Sequence, residues 1–465
     1  MLNMIPVHGW AGAYHGHSYV VRATNEEDCH KIVTQARTQG LSIGPLGGAQ
    51  SFGDSIVNTK QILLDCRLMN KVLSWDSVNG VATLEAGVSM SKLLREFIPL
   101  GWLPSSIPGS IAVTVGGAVA NNVHGKDSII MGNFGRHVKW LDLMLADGSV
   151  TRVSPTDQAE LFRATIGGIG LTGIILRVGL QLHRIPSATV LTKVRMSQSI
   201  EETFANLADA GDCDYAQVWL DAYPQGEKLG RGITMMAKFI EDDTRISIEA
   251  IESSLAEKTK MLGIIPSQLF WRTTRHCFYP PIMPIVNWVY WNKARLAAGK
   301  VEAWETMSFS SYYFFHNNIP DFYSVYRPPG FLEIQALLPS PAGALEFRKL
   351  LTIAKKAGVT PVLSGMKKSI ADDFYISFQG NGQTISFDFP IAGHGLAKLE
   401  RTIRPLYEQI ADFGGVIGLS KDQVMPRDIF QRCYPKWQKF WQIKNTVDPS
   451  HMFCNDMGRR LFPFD

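Results

Sequence analysis

Glycine gathers three times in this chain, at Gly44, Gly47, Gly48 and Gly53, at Gly109, Gly116 and Gly117, and at Gly167, Gly168, Gly170 and Gly173. Glycine gives up backbone entropy on folding and is kept where φ is positive or where another backbone or a ligand comes close. Three such clusters call either for tight turns or for a bound molecule. A dinucleotide suits them, because backbone N–H groups clear of side chains can face a pyrophosphate; ordinary turns suit them equally. The run Gly168-Ile169-Gly170-Leu171-Thr172-Gly173 spells G-x-G-x-x-G, yet it follows a helical pattern (159–165) and precedes a β-rich run (174–182). A Rossmann fingerprint needs the reverse order, strand then helix, so a nicotinamide site of that kind is rejected. Gly125-Lys126 is followed by Asp127 and lacks the earlier glycine of a P-loop. Two basic residues, His124 before Gly125 and Lys421 in Ser420-Lys421-Asp422, read locally as a packed imidazole and a solvated lysine. His8, His15 and His17 have no carboxylate or cysteine at ligand spacing, and no metal is expected.

The elements that must position these residues come from a chain of 465 residues, 45% hydrophobic and 19% charged, enough for a large core and more than one domain. Lys and Arg exceed Asp and Glu by 46 − 42 = 4, too even a balance for a protein that holds nucleic acid by its phosphates. Six cysteines (Cys29, Cys66, Cys213, Cys277, Cys433, Cys454) are scattered without a C-x-x-C pair, so reduced thiols are expected. No secretory signal and no apolar run of membrane-spanning length is visible, so the expected location is cytoplasmic or peripheral at the inner membrane. Thr24 and Glu27 have capping-box spacing before a helix whose stripe is Ile32, Val33 and Ala36 and whose stop is Gly40. Strands are expected at 41–43, 62–65 and 81–85, with Ser91 capping a helix that carries Leu93, Leu94, Phe97 and Ile98. This alternation suggests an α/β layer closing near 184–186. Beyond it, 217–221, 332–336 and 384–389 alternate apolar and polar residues, as strands with one buried and one polar face. Helices are expected from Pro341 to Gly358 and from Gly395 to Phe413, before an aromatic and basic stretch, 416–465.

The ordered set Gln50-Ser51-Phe52-Gly53-Asp54, Pro108-Gly109-Ser110, Val113-Thr114-Val115-Gly116-Gly117-Ala118, His124-Gly125-Lys126, Ala146-Asp147-Gly148 and Gly170-Leu171-Thr172-Gly173-Ile174 resembles the FAD domain of the vanillyl-alcohol oxidase superfamily. Trp219-Leu220-Asp221-Ala222, Asp388-Phe389-Pro390-Ile391, Ser420-Lys421-Asp422 and Val447-Asp448-Pro449 carry the likeness through nearly the whole chain, toward members that oxidise a lipid-linked pentose. The resemblance implies an α+β fold. A two-subdomain PCMH-type FAD-binding domain would comprise residues 1–185, completed by a C-terminal return segment, 416–465. Between them, 186–415 would form a substrate-binding domain on an antiparallel sheet flanked by helices. FAD is implied along Leu46, Gly47, Gly48, Ala49, Gln50, Ser51, Phe52 and Gly53, along Gly109, Thr114, Val115, Gly116 and Gly117, and at Asn121, Asn122, Val123, His124 and Ile175. Many relatives tether the flavin through a histidine in the first loop; Gln50 stands there, so non-covalent FAD is implied.

By the same resemblance Lys421 and His124 are the catalytic candidates, and Trp219, Glu333, Gln335, Lys367, Thr384, Ser386 and Lys421 contact substrate. Ser386 replaces a cysteine of the relatives, Glu333 a glutamine, Thr384 an asparagine and Gly418 a tyrosine, changes that bear on the sugar more than on the reaction. The implied reaction oxidises the 2-hydroxyl of a polyprenyl-phosphate-linked ribofuranose to the 2-keto sugar, the first half of an epimerisation to the arabinose form. A separate NAD(P)H-dependent short-chain reductase and a quinone or other electron acceptor are the implied partners. Such chemistry moves a hydride from the carbinol carbon while a base takes the hydroxyl proton; Lys421 and His124 remain alternatives for that base. A soluble sugar-alcohol or aldonolactone oxidase and a non-catalytic polyprenyl-lipid-binding flavoprotein are the alternative functions. One segment stands apart: from Lys258 to Val301 there is no Asp or Glu, while Lys260, Arg272, Arg275, Lys293 and Arg295 accompany Phe270, Trp271, Phe278, Tyr279, Trp288, Tyr290 and Trp291. It reads either as a surface segment or lid meeting a membrane-borne substrate, with Trp288 and Trp291 as anchors, or as an aromatic core with exposed cations.

Overall fold

The computed structural model describes residues 3–241, 251, 255–256, 260–261, 264–279, 281–298, 304–314, 322–391 and 395–464; Lys258, Pro280 and Val301 lie outside the described residues. The fold is mixed α+β. Three larger sheets carry the described residues. In the first, the strands His15–Arg22, Ile62–Asp65 and Ile43–Leu46 run parallel, and Met4–His8 adds an antiparallel edge. Helix Glu26–Gln39 covers it, burying Cys29, Ile32, Val33 and Ala36 against Ile43, Ile62 and Leu64. Its cap falls one residue later than expected. Asn25, extended at φ −159°, accepts the Asp28 amide, and Thr24 instead donates its own amide and hydroxyl to the Asp28 carboxylate. Gly40, at φ +64°, ends the helix as expected.

The second sheet is antiparallel, in the order Val72–Asp76, Val81–Glu85, Ile174–Arg184, Val138–Met144 and Val150–Val153, with Trp102–Pro104 also paired to Ile174–Arg184. Helix Met90–Phe97 packs Leu93, Leu94 and Phe97 into its core. Ser89 caps that helix; Ser91, the expected cap, lies within it and receives Arg95. The short helix Val115–Ala120, capped by Thr114, buries Val115, Ala118 and Val119 in the same core.

The third sheet has eight strands, in the order Glu305–Ser308, Thr189–Ser197, Gly232–Phe239, Tyr215–Leu220, Leu363–Ser369, Gly382–Pro390, Phe331–Pro339 and Val416–Ile417, every pair antiparallel. Its alternation is the one the sequence announces. Leu332, Ile334, Ala336, Ile385, Phe387 and Phe389 share a core with helices Ala344–Lys356 and Leu396–Asp412, leaving the intervening polar residues on the other face. The first of these helices starts after Pro341 rather than at it, because a turn from the Pro339 carbonyl to the Ala342 amide comes first and the Glu346 carboxylate caps the Gly343 amide.

After the edge strand Val416–Ile417 the chain returns to the first sheet, where Phe453 bridges Ile43 and the Asp456 carboxylate accepts from Thr59 and Tyr14. Arg460 then joins two distant segments. It donates to both carboxylate oxygens of Asp54 at 2.7 and 3.0 Å and lies 2.9 Å from Asp422, both acids being buried. A cation between two desolvated carboxylates is costly to remove, because each acid is then left without a countercharge. We therefore expect Arg460→Met to lose about 3 kcal/mol or more of unfolding free energy in denaturant titration; a loss below about 1 kcal/mol contradicts this assignment.

Candidate active site

A cavity of about 380 Å³ opens between the first two sheets and the polar face of the third. One wall is the loop following strand Ile43–Leu46. Among the described residues no protein acceptor takes the amides of Gly47, Gly48, Ala49, Gln50 or Ser51, and Ala49 has the left-handed φ of +54°. Successive unpartnered amides bent in this way form an anion-binding concavity. The glycines permit it: a Cβ on Gly48 would sit 2.1 Å from the Ala112 carbonyl oxygen and one on Gly47 2.3 Å from Thr114 Oγ1, so any larger residue would push the first and second glycine loops apart. Gln50 fastens those loops, donating to the Gly48 carbonyl at 3.0 Å and accepting the Ser110 hydroxyl at 2.8 Å. Ser55 Oγ and Asn121 Oδ1 are buried without a partner, and both residues line the cavity. Buried polar atoms are normally satisfied, so these two suit a polar ligand.

Of the residues expected to hold a cofactor, Leu46, Gly47, Gly48, Ala49, Gln50, Ser51, Phe52, Gly109, Thr114, Gly116, Gly117, Asn121, Asn122, Val123, His124 and Ile175 line this cavity. Gly53 and Val115 are not among the lining residues. Gly53 serves a close backbone approach, since its Cβ would lie 2.4 Å from the Asp422 carbonyl oxygen, and Val115 is a core side chain. Asn122 reaches the lining while spending its amide on Asp372 and Ser377.

The opposite wall is set by strand register. Antiparallel pairing places Glu333 beside Asp388, Gln335 beside Ser386, Ser386 beside Gly365 and Gly365 beside Trp219, with Lys367 beside Thr384 in the next row. All of these line the cavity, as does Lys421. Asp422 anchors the turn that carries Lys421, accepting the Tyr407 hydroxyl at 2.8 Å and the Met425 amide. Lys421 Nζ lies 3.5 Å from the Glu333 carboxylate and 3.4 Å from the centre of the Phe52 ring, itself stacked on Trp10. The Phe52 amide donates to the Ser420 carbonyl at 2.9 Å, which ties the glycine loop to the lysine turn.

Charge is unevenly distributed here. Burial, reinforced by Lys367, drives the His124 imidazole down to about 3, while its bond of 3.1 Å to Gln335 opposes the shift. His124 is therefore neutral, and with Nε2–H donating to Gln335 Oε1 the lone pair lies on Nδ1. Burial, with Lys421 adding to it, lowers Lys367 to about 8, leaving it mostly charged at neutral pH. Burial and then the adjacent Glu333 raise Asp388 well above the ordinary carboxylate range, so Asp388 keeps the proton of the pair and Glu333 faces Lys421. Asp388 was absent from the expected site, although its period-two spacing from Thr384 and Ser386 puts it on their face. Lys126 was also missed: it is buried with its Nζ donating to the Tyr312 and Tyr313 carbonyls, a setting with no local signal in the sequence.

Comparison with known proteins agrees with this geometry. Residues 17–154, which contain the first two glycine loops, match the model of an FAD binding domain. Over 462 residues the chain is 28% identical to the decaprenylphosphoryl-beta-D-ribose oxidase of Mycolicibacterium smegmatis, covering 97% of this chain and 96% of that one. It is 22% identical over 453 residues to the L-gulono-1,4-lactone dehydrogenase of Mycobacterium tuberculosis, covering 96% of each. It is 24% identical over 452 residues to the L-gulonolactone oxidase of Mus musculus, covering 94% of each. The chain is an FAD-binding oxidoreductase related to these enzymes. The residues present fit FAD: the unpartnered amides of 47–51 suit its pyrophosphate, and Asn121 and Ser55 offer unspent polar atoms on the same cavity. The neutrality of His124 is directly observable. Its imidazole resonances should stay flat in an NMR titration from about pH 5 to 7, a window that includes the ordinary histidine value of about 6.5 and stops short of the Lys367 titration; an inflection there, absent from His124→Gln, contradicts the burial described.

Proposed function

We propose that the chain oxidises the 2-hydroxyl of a polyprenyl-phosphate-linked pentofuranose to the corresponding ketone, as the first half of an epimerisation completed by a separate NAD(P)H-dependent reductase. The observation that carries the reading is the arrangement Glu333–Lys421–Phe52, a charged pair on the cavity wall against the glycine loop. The resemblance over nearly the full length to an enzyme named for a lipid-linked ribose supports the substrate class. Bound in the loop, without a covalent tether, FAD would supply the two-electron acceptor for a carbinol C–H bond, with a quinone or other acceptor reoxidising it.

The protein's own share is electrostatic. The Lys421 ammonium, held beside an acid, stabilises negative charge as it grows on the substrate oxygen. The Glu333 carboxylate, whose neighbour Asp388 already carries a proton, takes the hydroxyl proton. His124 is too weak a base for that step and is assigned instead to fixing Gln335 at the cavity wall. Lys367, cationic below about pH 8, suits the phosphodiester of the substrate. Ser386, in the row between Glu333 and Lys367, and Thr384, beside Lys367, read the sugar.

Anaerobic mixing with a short-chain prenyl-phosphoryl pentose tests the reading through loss of visible flavin absorbance. The wild type should bleach. Lys421→Ala should bleach about 10²- to 10³-fold more slowly, and Glu333→Gln about 10²-fold or more. Near-normal rates in either variant remove that residue from its role. Faster bleaching by an aldonolactone or a free pentitol favours the soluble oxidase instead, and bound lipid with unbleached flavin overturns the enzymatic reading.

A further inference from the structure

The described part of the acid-free segment includes helix Ser267–Thr274, a 3-10 turn Arg275–Phe278 and helix Met283–Ala298, each helix in contact with the turn. The last helix has two apolar faces. Met283, Asn287 and Trp291, spaced by four, turn inward: Asn287 donates to the buried Asp221 at 2.9 Å, and Trp291 lies under the guanidinium of Arg231, 4.8 Å from its ring centre, which Asp221 pairs at 2.9 Å. This corrects the expectation for Trp291, which is buried as the lid on an ion pair and is no surface anchor. The outward face carries Ile285 (61% exposed), Trp288 (56%), Val289 (52%) and Leu296 (69%), at i, i+3, i+4 and i+11. Ile264, Leu269 and Ile282 are exposed on the neighbouring elements. Arg272, Lys293 and Arg295 are also exposed, and no Asp or Glu occurs between residues 258 and 301 to oppose them.

An outward stripe of isoleucine, tryptophan, valine and leucine is costly in water, and the charged residues of its own segment are all cationic. We infer that the helix Met283–Ala298 lies flat in the interface of an anionic bilayer, with Ile285, Trp288, Val289 and Leu296 among the acyl chains and Arg272, Lys293 and Arg295 on the headgroup phosphates. The charge selects this occupant over an apolar protein groove: each cation next to an acidic lipid surface strengthens binding about fivefold. The position also serves the cavity. Tyr290, on the same helix, packs edge-on against Trp219 at 4.8 Å, and Trp219 lines the cavity, so one residue separates the bilayer from the site.

Co-sedimentation of the full chain with vesicles tests this without substrate or turnover, and so independently of the proposed reaction. The wild type should pellet with phosphatidylglycerol mixed into phosphatidylcholine, and salt should release it. Ile285→Ser with Val289→Ser, both at exposed positions, should bind at least about tenfold more weakly. Lys293→Glu with Arg272→Glu should abolish the preference for the acidic lipid; retained native circular dichroism shows that either double variant is folded. Wild-type failure to pellet, equal binding by the folded double variants, or equal wild-type binding to pure phosphatidylcholine overturns the inference. Self-association lost in Ile285→Ser/Val289→Ser without vesicle binding overturns it in favour of an interface between copies.

Discussion

The site depends on two backbone segments remote in sequence being held almost in contact, the glycine loop of residues 47–53 and the turn that carries Lys421. Arg460 enforces that contact by lying between Asp54, just past the loop, and Asp422, next to the lysine. The close approach is why residue 53 has no side chain, because the Asp422 carbonyl oxygen occupies the place of a Cβ. With the turn fixed, Lys421 has Phe52 beneath it and Glu333 beside it. Neither the loop nor the turn belongs to a helix or strand that could position it alone. A buried ion triad that is expensive to break takes over that task.

The same economy of position governs the opposite wall. Every polar group there projects from strands whose other face is a hydrocarbon core, so register alone decides which groups are neighbours. A slip by one residue would bury Glu333, Gln335, Ser386 and Asp388 under helices and expose Ile334 and Phe387 to the cavity. Mutual proximity then shapes the chemistry: two adjacent carboxylates cannot both remain ionised out of water, the buried Lys367 is lowered further by the cation beside it, and an imidazole next to it stays neutral. The wall therefore offers one charged lysine–glutamate pair with a proton held in reserve, an arrangement suited to removing a hydroxyl proton while steadying the oxygen left behind.

The glycine loops were legible in sequence because a glycine's need is local, set by its own φ or by one neighbouring atom, as at Gly48. Strand faces were legible for a similar reason, the period of two being written along 332–336 and 384–389. Helix caps were shifted where two polar residues compete for one end, as Thr24 and Asn25 do, and Ser89 and Ser91. Lys421 could not be told from a solvated lysine, since its setting is made by Phe52 and Glu333, which lie far away in the chain. Trp291 was misplaced because it meets its cover, the pairing of Arg231 with Asp221 at two strand ends, only when a helix from a distant part of the chain packs there. Composition identified the cationic aromatic segment as unusual; only the fold separated its inward from its outward residues.

In the proposed function, the unpartnered amides of the first glycine loop hold FAD without a covalent bond, in a loop where Gln50 is already engaged with Gly48 and Ser110. The visible spectrum of the purified protein, followed by acid precipitation, tests it most directly. The protein should be yellow, and its colour should pass wholly into the supernatant as FAD. A protein that remains colourless after incubation with FAD, or a pellet that retains the flavin, would contradict it.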